Sequence, residues 1–248
     1  MKYERISLLG TYVDNLSMNE TIEIIENAIR ENKQIHQADV NAGKIVAMQT
    51  DEALRISVNE ADIINADGQP VLWTARLFNK PLKERVSGVD LFTRLIEKAH
   101  QKNYKIFLLG AKQEVVELVN QRISKEYSPD IVAGFANGYF NENQENEIIN
   151  QIISCKPQML FVAMTSPYKE IFLHKYKNDL KDVNFIMGVG GSFDVYSGKI
   201  KRAPLWMQKS GLEWFFRFTQ DPLRMWKRYL IGNTKFILLV LKEKFTTK

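Results

Sequence analysis

Asp67 stands in the run Asn65-Ala66-Asp67-Gly68-Gln69-Pro70, just past a short apolar stretch and just ahead of a helical one. A carboxylate at such a point can act as a general base or cap the next helix, and spacing alone favours the cap. Gly188-Val189-Gly190-Gly191-Ser192-Phe193-Asp194 is a glycine-rich turn whose backbone N–H groups can close on a phosphate. It is a poor dinucleotide fingerprint, because Phe193 takes the third glycine position and Lys209 lies where the ribose-binding acid belongs. Arg85, ahead of Ser87-Gly88-Val89-Asp90, is either a pyrophosphate clamp or a surface arginine. In Thr165-Ser166-Pro167-Tyr168-Lys169-Glu170, Pro167 suits a first helical turn, and Lys169 and Glu170 face either ligand or solvent.

The motifs that are missing narrow the chemistry. His36, His100 and His174 are scattered, so no metal-ligand spacing appears. There is no D-x-D to clamp a metal–nucleotide–sugar, no P-loop and no G-x-S-x-G. No metal and no organic cofactor is expected. Cys155 is the single cysteine and cannot pair within the chain, which fits a reducing cytoplasm and a buried structural thiol.

These residues need a scaffold that brings strand ends together. Strand-like runs are Ile35–Val40, Ile63–Asn65, Lys105–Gly110, Ile131–Ala133, Met159–Met164 and Phe185–Val189. Helical segments alternate with them: Ser17–Arg30 behind the capping box Ser17-Met18-Asn19-Glu20, then Gly43–Glu60, Asp90–Gln101, Gln113–Lys125, Asn143–Ile153 and Pro167–Leu180. Strands that are apolar throughout, alternating with helices, predict an α/β fold. We expect a Rossmann-like, mostly parallel sheet with helices on both faces. Ligands then bind beyond the carboxyl ends of the strands, which places Asp39 and Asn41, Asp67 and Gly68, Gly110, Tyr139, Lys169 and Glu170, and Gly190, Gly191 and Asp194 along one edge.

The charge divides the chain at about residue 196. From Lys199 onward twelve Lys and Arg face three Asp and Glu, a net of +9, whereas the first 198 residues carry 22 against 26, a net of −4. The basic segment also holds Trp206, Trp214, Trp226 and several phenylalanines. The expected organisation is an α/β catalytic body over residues 1–195 and a helical basic appendage over 196–248. A basic, aromatic tail suits an anionic membrane surface. A packed helical subdomain with a solvated face and a nucleic-acid surface are the alternatives. Its apolar area also offers a surface for homo-oligomer formation. The longest apolar runs span six residues, far short of a membrane crossing, and no signal peptide is visible at the start. The expected location is cytoplasmic and peripheral on the inner face of the plasma membrane.

In order and separation, these segments resemble the WecG/TagA/CpsF family of bacterial glycosyltransferases. The segments that carry the resemblance begin with Asn41 after a strand, Asn65–Gly68 and Arg85–Asp90. Phe107–Ala111, Gly138-Tyr139-Phe140 and Gly188–Asp194 follow, and Arg202-Ala203-Pro204 with Gly211–Arg217 completes the set. The resemblance implies inverting, metal-independent transfer of a hexose or N-acetylhexosamine-type sugar, such as N-acetylmannosamine or glucose, from a UDP-sugar. The acceptor it implies is a polyprenyl-diphosphate-linked sugar on the way to a cell-surface polysaccharide or teichoic acid. It makes Asp67 the catalytic base, against the cap favoured by spacing, and Asn41 a sugar ligand. Arg202, Arg217, Arg224, Lys227 and Arg228 are expected to meet the acceptor diphosphate or anionic lipid, and nucleic acid is not an expected partner. Two positions depart from the family pattern: Asp39 stands where many members carry Thr, and Lys169 replaces Gln in G-x-P-x-Q-E. Both leave the donor sugar open. The rival readings are a NAD- or S-adenosylmethionine-dependent enzyme on the same kind of sheet, and a non-catalytic protein that binds membrane or nucleic acid.

Overall fold

The computed structural model describes residues 3–220, 222 and 231–246. Two short strands, β1 (Arg5–Leu8) and β2 (Thr11–Asp14), pair as an antiparallel hairpin. The main sheet has six parallel strands: β3 (Ile35–Val40), β4 (Ile63–Ala66), β5 (Ile106–Gly110), β6 (Val132–Ala136), β7 (Met159–Ala163) and β8 (Phe185–Gly188). Their order across the sheet is β4-β3-β8-β7-β5-β6, so every strand's carboxyl end lies on one edge.

The apolar strands are explained by the helices on both faces. On β5 and β7, Ile106, Leu108, Met159 and Phe161 point to one cluster, and Phe107, Leu109, Leu160 and Val162 to another. The first face is covered by α1 (Met18–Arg30), α5 (Gly88–Lys102), α6 (Gln113–Glu126) and α9 (Ser192–Tyr196). The second is covered by α7 (Glu145–Cys155) and α8 (Tyr168–Lys175). A third cluster joins the hairpin and the ends of β3 and β4 to α2 (Ala42–Met48), α3 (Glu52–Asn59) and α4 (Gln69–Leu77). The hairpin is tied to β4 by Asp14, whose Oδ2 accepts the Ile64 N–H at 2.8 Å.

Beyond α9 come α10 (Leu205–Lys209), α11 (Glu213–Gln220) and α12 (Gly232–Thr246). Phe236 and Val240 of α12 are buried with Ala42, Ile45 and Val40 of the body. Glu243 on the same side accepts the Leu9 N–H at 3.2 Å. No described helix is long and apolar enough to cross a membrane.

Two expectations are corrected, and one element is new. The segment 43–60 is two helices, because the Asp51 side chain accepts the Leu54 N–H at 2.9 Å and starts α3 afresh. The helix expected over 167–180 keeps regular form only to Lys175. The β1–β2 hairpin has no counterpart among the strands expected from sequence.

Candidate active site

Asp67 follows β4 directly. Gly68, not Asp67, is the N-cap of α4, and it makes no side-chain cap bond. Asp67 instead reaches α5, accepting the Gly88 N–H on Oδ1 at 3.1 Å. The cap favoured by spacing is therefore not made on the next helix. Asp67 as a residue is half-buried. Burial and the nearby Asp39 charge push its pKa up to about 7, against the opposing pull of Arg217, Arg85 and the Gly88 amide. A carboxyl poised near neutrality and faced by cations is suited to accept a proton at physiological pH.

Beside it lies a buried quartet of charges. Asp39, the penultimate residue of β3, sits 3.1 Å from Lys44 Nζ through Oδ2 and 3.9 Å from Lys169 Nζ through Oδ1. Glu170 binds Lys44 at 2.8 Å and also bonds Lys169. Two lysines against two carboxylates leave no net charge, the condition for tolerating such burial. Burial pulls the Lys44 ammonium down, but Asp39 and Glu170 outweigh it and hold its pKa well above the ordinary lysine value. Burial also pulls Lys169 down, and Lys44 adds to that, so its pKa lies below the ordinary value. Glu170 lies well below the usual carboxylate range, because the two ammonium groups overcome its desolvation. The cavity among these residues measures about 10 Å³, enough for one water. Asp39, Lys169 and Glu170 thus form a wall beneath the strand edge and pair with one another.

The glycines expected at the site do different jobs. A Cβ on Gly188 would lie 3.0 Å from Lys169 Cδ, so this glycine lets the lysine cross the end of β8. Gly190 has φ +52° and Gly191 faces open space, which leaves this turn able to approach a ligand. Gly110, with φ +122°, packs so closely on the Ala163 backbone that a Cβ would meet it at 2.6 Å; its role is close packing at the end of β5. Tyr139 is 73% exposed on the loop after β6. Asn41 caps α2 through the Lys44 N–H at 3.1 Å, and its Cβ lies 3.3 Å from where a Gly68 Cβ would stand. Asp194 lies in α9, its carbonyl accepting the Ile200 N–H at 3.0 Å.

Three arginines converge on Glu213, the first residue of α11. Arg85 Nη1 binds Oε2 at 3.1 Å, Arg217 Nη2 binds Oε1 at 3.0 Å, and Arg202 Nε lies 3.9 Å from Oε1. Arg202 is also held by Asp90 of α5, with Nη2 to Oδ2 at 2.7 Å. Arg202 and Arg217 therefore turn toward the body rather than away from it. Arg224, Lys227 and Arg228 lie outside the described residues. Glu213, Lys44 and Asp90 carry no signal of these contacts in their sequence context alone. Only the Glu213/Arg217 spacing of four on a helix signals a pairing in advance.

The family described as Glycosyl transferase WecG/TagA/CpsF matches residues 6–248. A Bacillus subtilis protein is 36% identical over 222 residues, covering 86% of this chain and 85% of its own length. One from Bacillus spizizenii is 37% identical over 187 residues, covering 75% and 71%. One from Staphylococcus aureus is 32% identical over 235 residues, covering 94% and 89%. Each relative is named an N-acetylglucosaminyldiphosphoundecaprenol N-acetyl-beta-D-mannosaminyltransferase.

Proposed function

The chain belongs to the WecG/TagA/CpsF family of glycosyltransferases, and from that premise we propose that it transfers an N-acetylhexosamine, N-acetylmannosamine first among candidates, from its UDP derivative to a polyprenyl-diphosphate-linked N-acetylglucosamine. The observation that carries this reading is Asp67, a half-buried residue at a strand end with its carboxyl pKa near 7 and two arginines in electrostatic reach.

In this mechanism the acceptor hydroxyl attacks the anomeric carbon from the face opposite UDP. The new C–O bond forms as the bond to the diphosphate oxygen breaks, and the configuration inverts. Asp67 takes the hydroxyl proton on Oδ2, since Oδ1 holds the Gly88 amide. General-base help of this kind is worth about 10²–10⁴-fold. Arg85 and Arg217 meet the charge of the departing UDP, and the open turn at Gly190 and Gly191 adds backbone N–H groups. Arg202 supports the same side through Asp90. Asn41 and Gly68 line the sugar side of Asp67, and the Asp39–Lys169 pair shapes that side from beneath.

Residues 196–248 act in this reading as the part that meets the membrane carrying the acceptor, from the cytoplasmic face. Its support is the +9 charge from Lys199 onward together with exposed Leu205, Trp206, Leu238 and Phe245. The test is transfer from radiolabelled UDP-N-acetylmannosamine, UDP-N-acetylglucosamine and UDP-glucose to a short-chain lipid-diphosphate-linked N-acetylglucosamine. Wild-type protein is expected to transfer one of them, and Asp67→Asn to bind UDP normally while losing at least about 100-fold in rate. Wild-type turnover in Asp67→Asn sinks the assignment of the base.

A further inference from the structure

Arg85, Arg202 and Arg217 come from three separate segments: the loop before α5, the stretch between α9 and α10, and α11. Three guanidinium groups repel one another, and Glu213 is the one carboxylate among the described residues that lies within 4 Å of all three. Arg202 has a second anchor in Asp90. Arg85 and Arg217 have no other carboxylate within salt-bridge distance among the described residues. Each uses one of five N–H donors on Glu213, at Nη1 and Nη2 respectively, which leaves both forks able to receive a second anion. Glu213 is itself 9% exposed, and its carboxyl stays below the usual range because the arginines overcome its desolvation. It belongs to α11, whereas Arg85 belongs to the body.

We propose that Glu213 is a positioning residue that holds Arg85 and Arg217 side by side as a receiver for a diphosphate. The inference rests on the transferase reading for the identity of that anion. Without Glu213 the two long side chains lose their common anchor and separate, since both carry large rotamer freedom and like charge.

The sign of a binding change tests this. Removing a carboxylate from an arginine cluster strengthens anion binding if only charge matters. It weakens binding if the carboxylate sets the geometry. Calorimetric titration of the full chain with inorganic pyrophosphate is expected to show at least tenfold weaker binding for Glu213→Gln than for wild type. Glu213→Asp, which keeps the charge on a shorter arm, is expected to recover part of the loss. Arg85→Gln combined with Glu213→Gln is expected to bind within about twofold of Arg85→Gln alone, because both changes remove the same arrangement. Unchanged or tighter binding by Glu213→Gln overturns the proposal. Losses that multiply in the double variant reduce Glu213 to a staple for α11 and overturn it equally, as does a wild type that does not bind millimolar pyrophosphate. A wild type that gives the expected binding pattern yet transfers no sugar upholds the role of Glu213 and defeats the transferase substrates proposed above.

Discussion

The Gly88 amide donates to Asp67 Oδ1 at 3.1 Å, so the N-terminus of α5 faces the carboxylate at the end of β4. That contact, with Arg217 and Arg85, favours the ionised form, while burial and Asp39 favour the neutral one; the balance falls at about 7. A base must be ionised to act. The rate constant kcat/KM is therefore expected to climb about tenfold per pH unit below this value and to level off above pH 8. Initial rates from pH 5.5 to 9 at subsaturating donor check this. An acidic limb centred near 4 means that Asp67 is not held up or is not the base.

The same shift has a consequence for stability. The folded-state pKa of Asp67 is raised, so between about pH 4 and 7 the native state binds more protons than the unfolded chain. Stability then falls as pH rises through that window, and above it the native state carries the full cost of an ionised Asp67. Asp67→Asn removes that cost. It is expected to stabilise the protein by about 1–2 kcal/mol at pH 8, a few degrees in Tm, and to change little at pH 4.5. Differential scanning calorimetry at the two pH values measures both, and an equal Tm change at each pH contradicts the ionisation argument.

Asp39 and Lys169, the two positions where the resemblance leads one to expect Thr and Gln, are electrostatic partners. Asp39→Thr alone leaves Lys44 and Lys169 sharing only Glu170, and is expected to cost about 2–3 kcal/mol. Adding Lys169→Gln restores one cation to one anion, so the double variant should recover at least about 1 kcal/mol of that loss. Urea unfolding of both single variants and the double one gives the coupling. Simple addition of the two single losses means that each residue is accommodated independently.

What the sequence shows and what it hides follow a physical pattern. β7 is legible to within one residue, because an apolar run buried on both faces stands out between polar helices; β3, Ile35–Val40, is legible to the residue although it carries His36, Gln37 and Asp39. The hairpin is not, because Arg5-Ile6-Ser7-Leu8 and Thr11-Tyr12-Val13-Asp14 are short and mix polar with apolar residues, so neither forms an apolar run. Asp67 is legible as an acidic residue at a strand end. Its true partner, Gly88, lies on a different helix from the one that spacing offers. Lys44 reads as an ordinary helical lysine, since the carboxylate that keeps it buried, Glu170, arrives from a distant segment. Glu213 shows its bond to Arg217 through helical spacing, but its bond to Arg85 exists only once α11 meets the body.

α12 carries two apolar stripes on opposite sides, and they should respond differently to substitution. Phe236 and Val240 are buried against the body, while Ile237, Leu238, Leu241 and Phe245 are exposed on the other side. Phe236→Ala opens a cavity in the cluster shared with α2 and is expected to cost about 3–5 kcal/mol, roughly 6–20 °C in Tm. Leu238→Ser with Phe245→Ser removes only exposed apolar area, and is expected to leave stability within about 0.5 kcal/mol for each change. On a membrane those two side chains would enter the acyl boundary, each contributing up to about 1.5–3 kcal/mol when fully buried. Cosedimentation with vesicles containing phosphatidylglycerol should then weaken at least tenfold for the serine pair, while pyrophosphate binding stays as in wild type. Undiminished vesicle binding would place the membrane contact elsewhere on the basic segment.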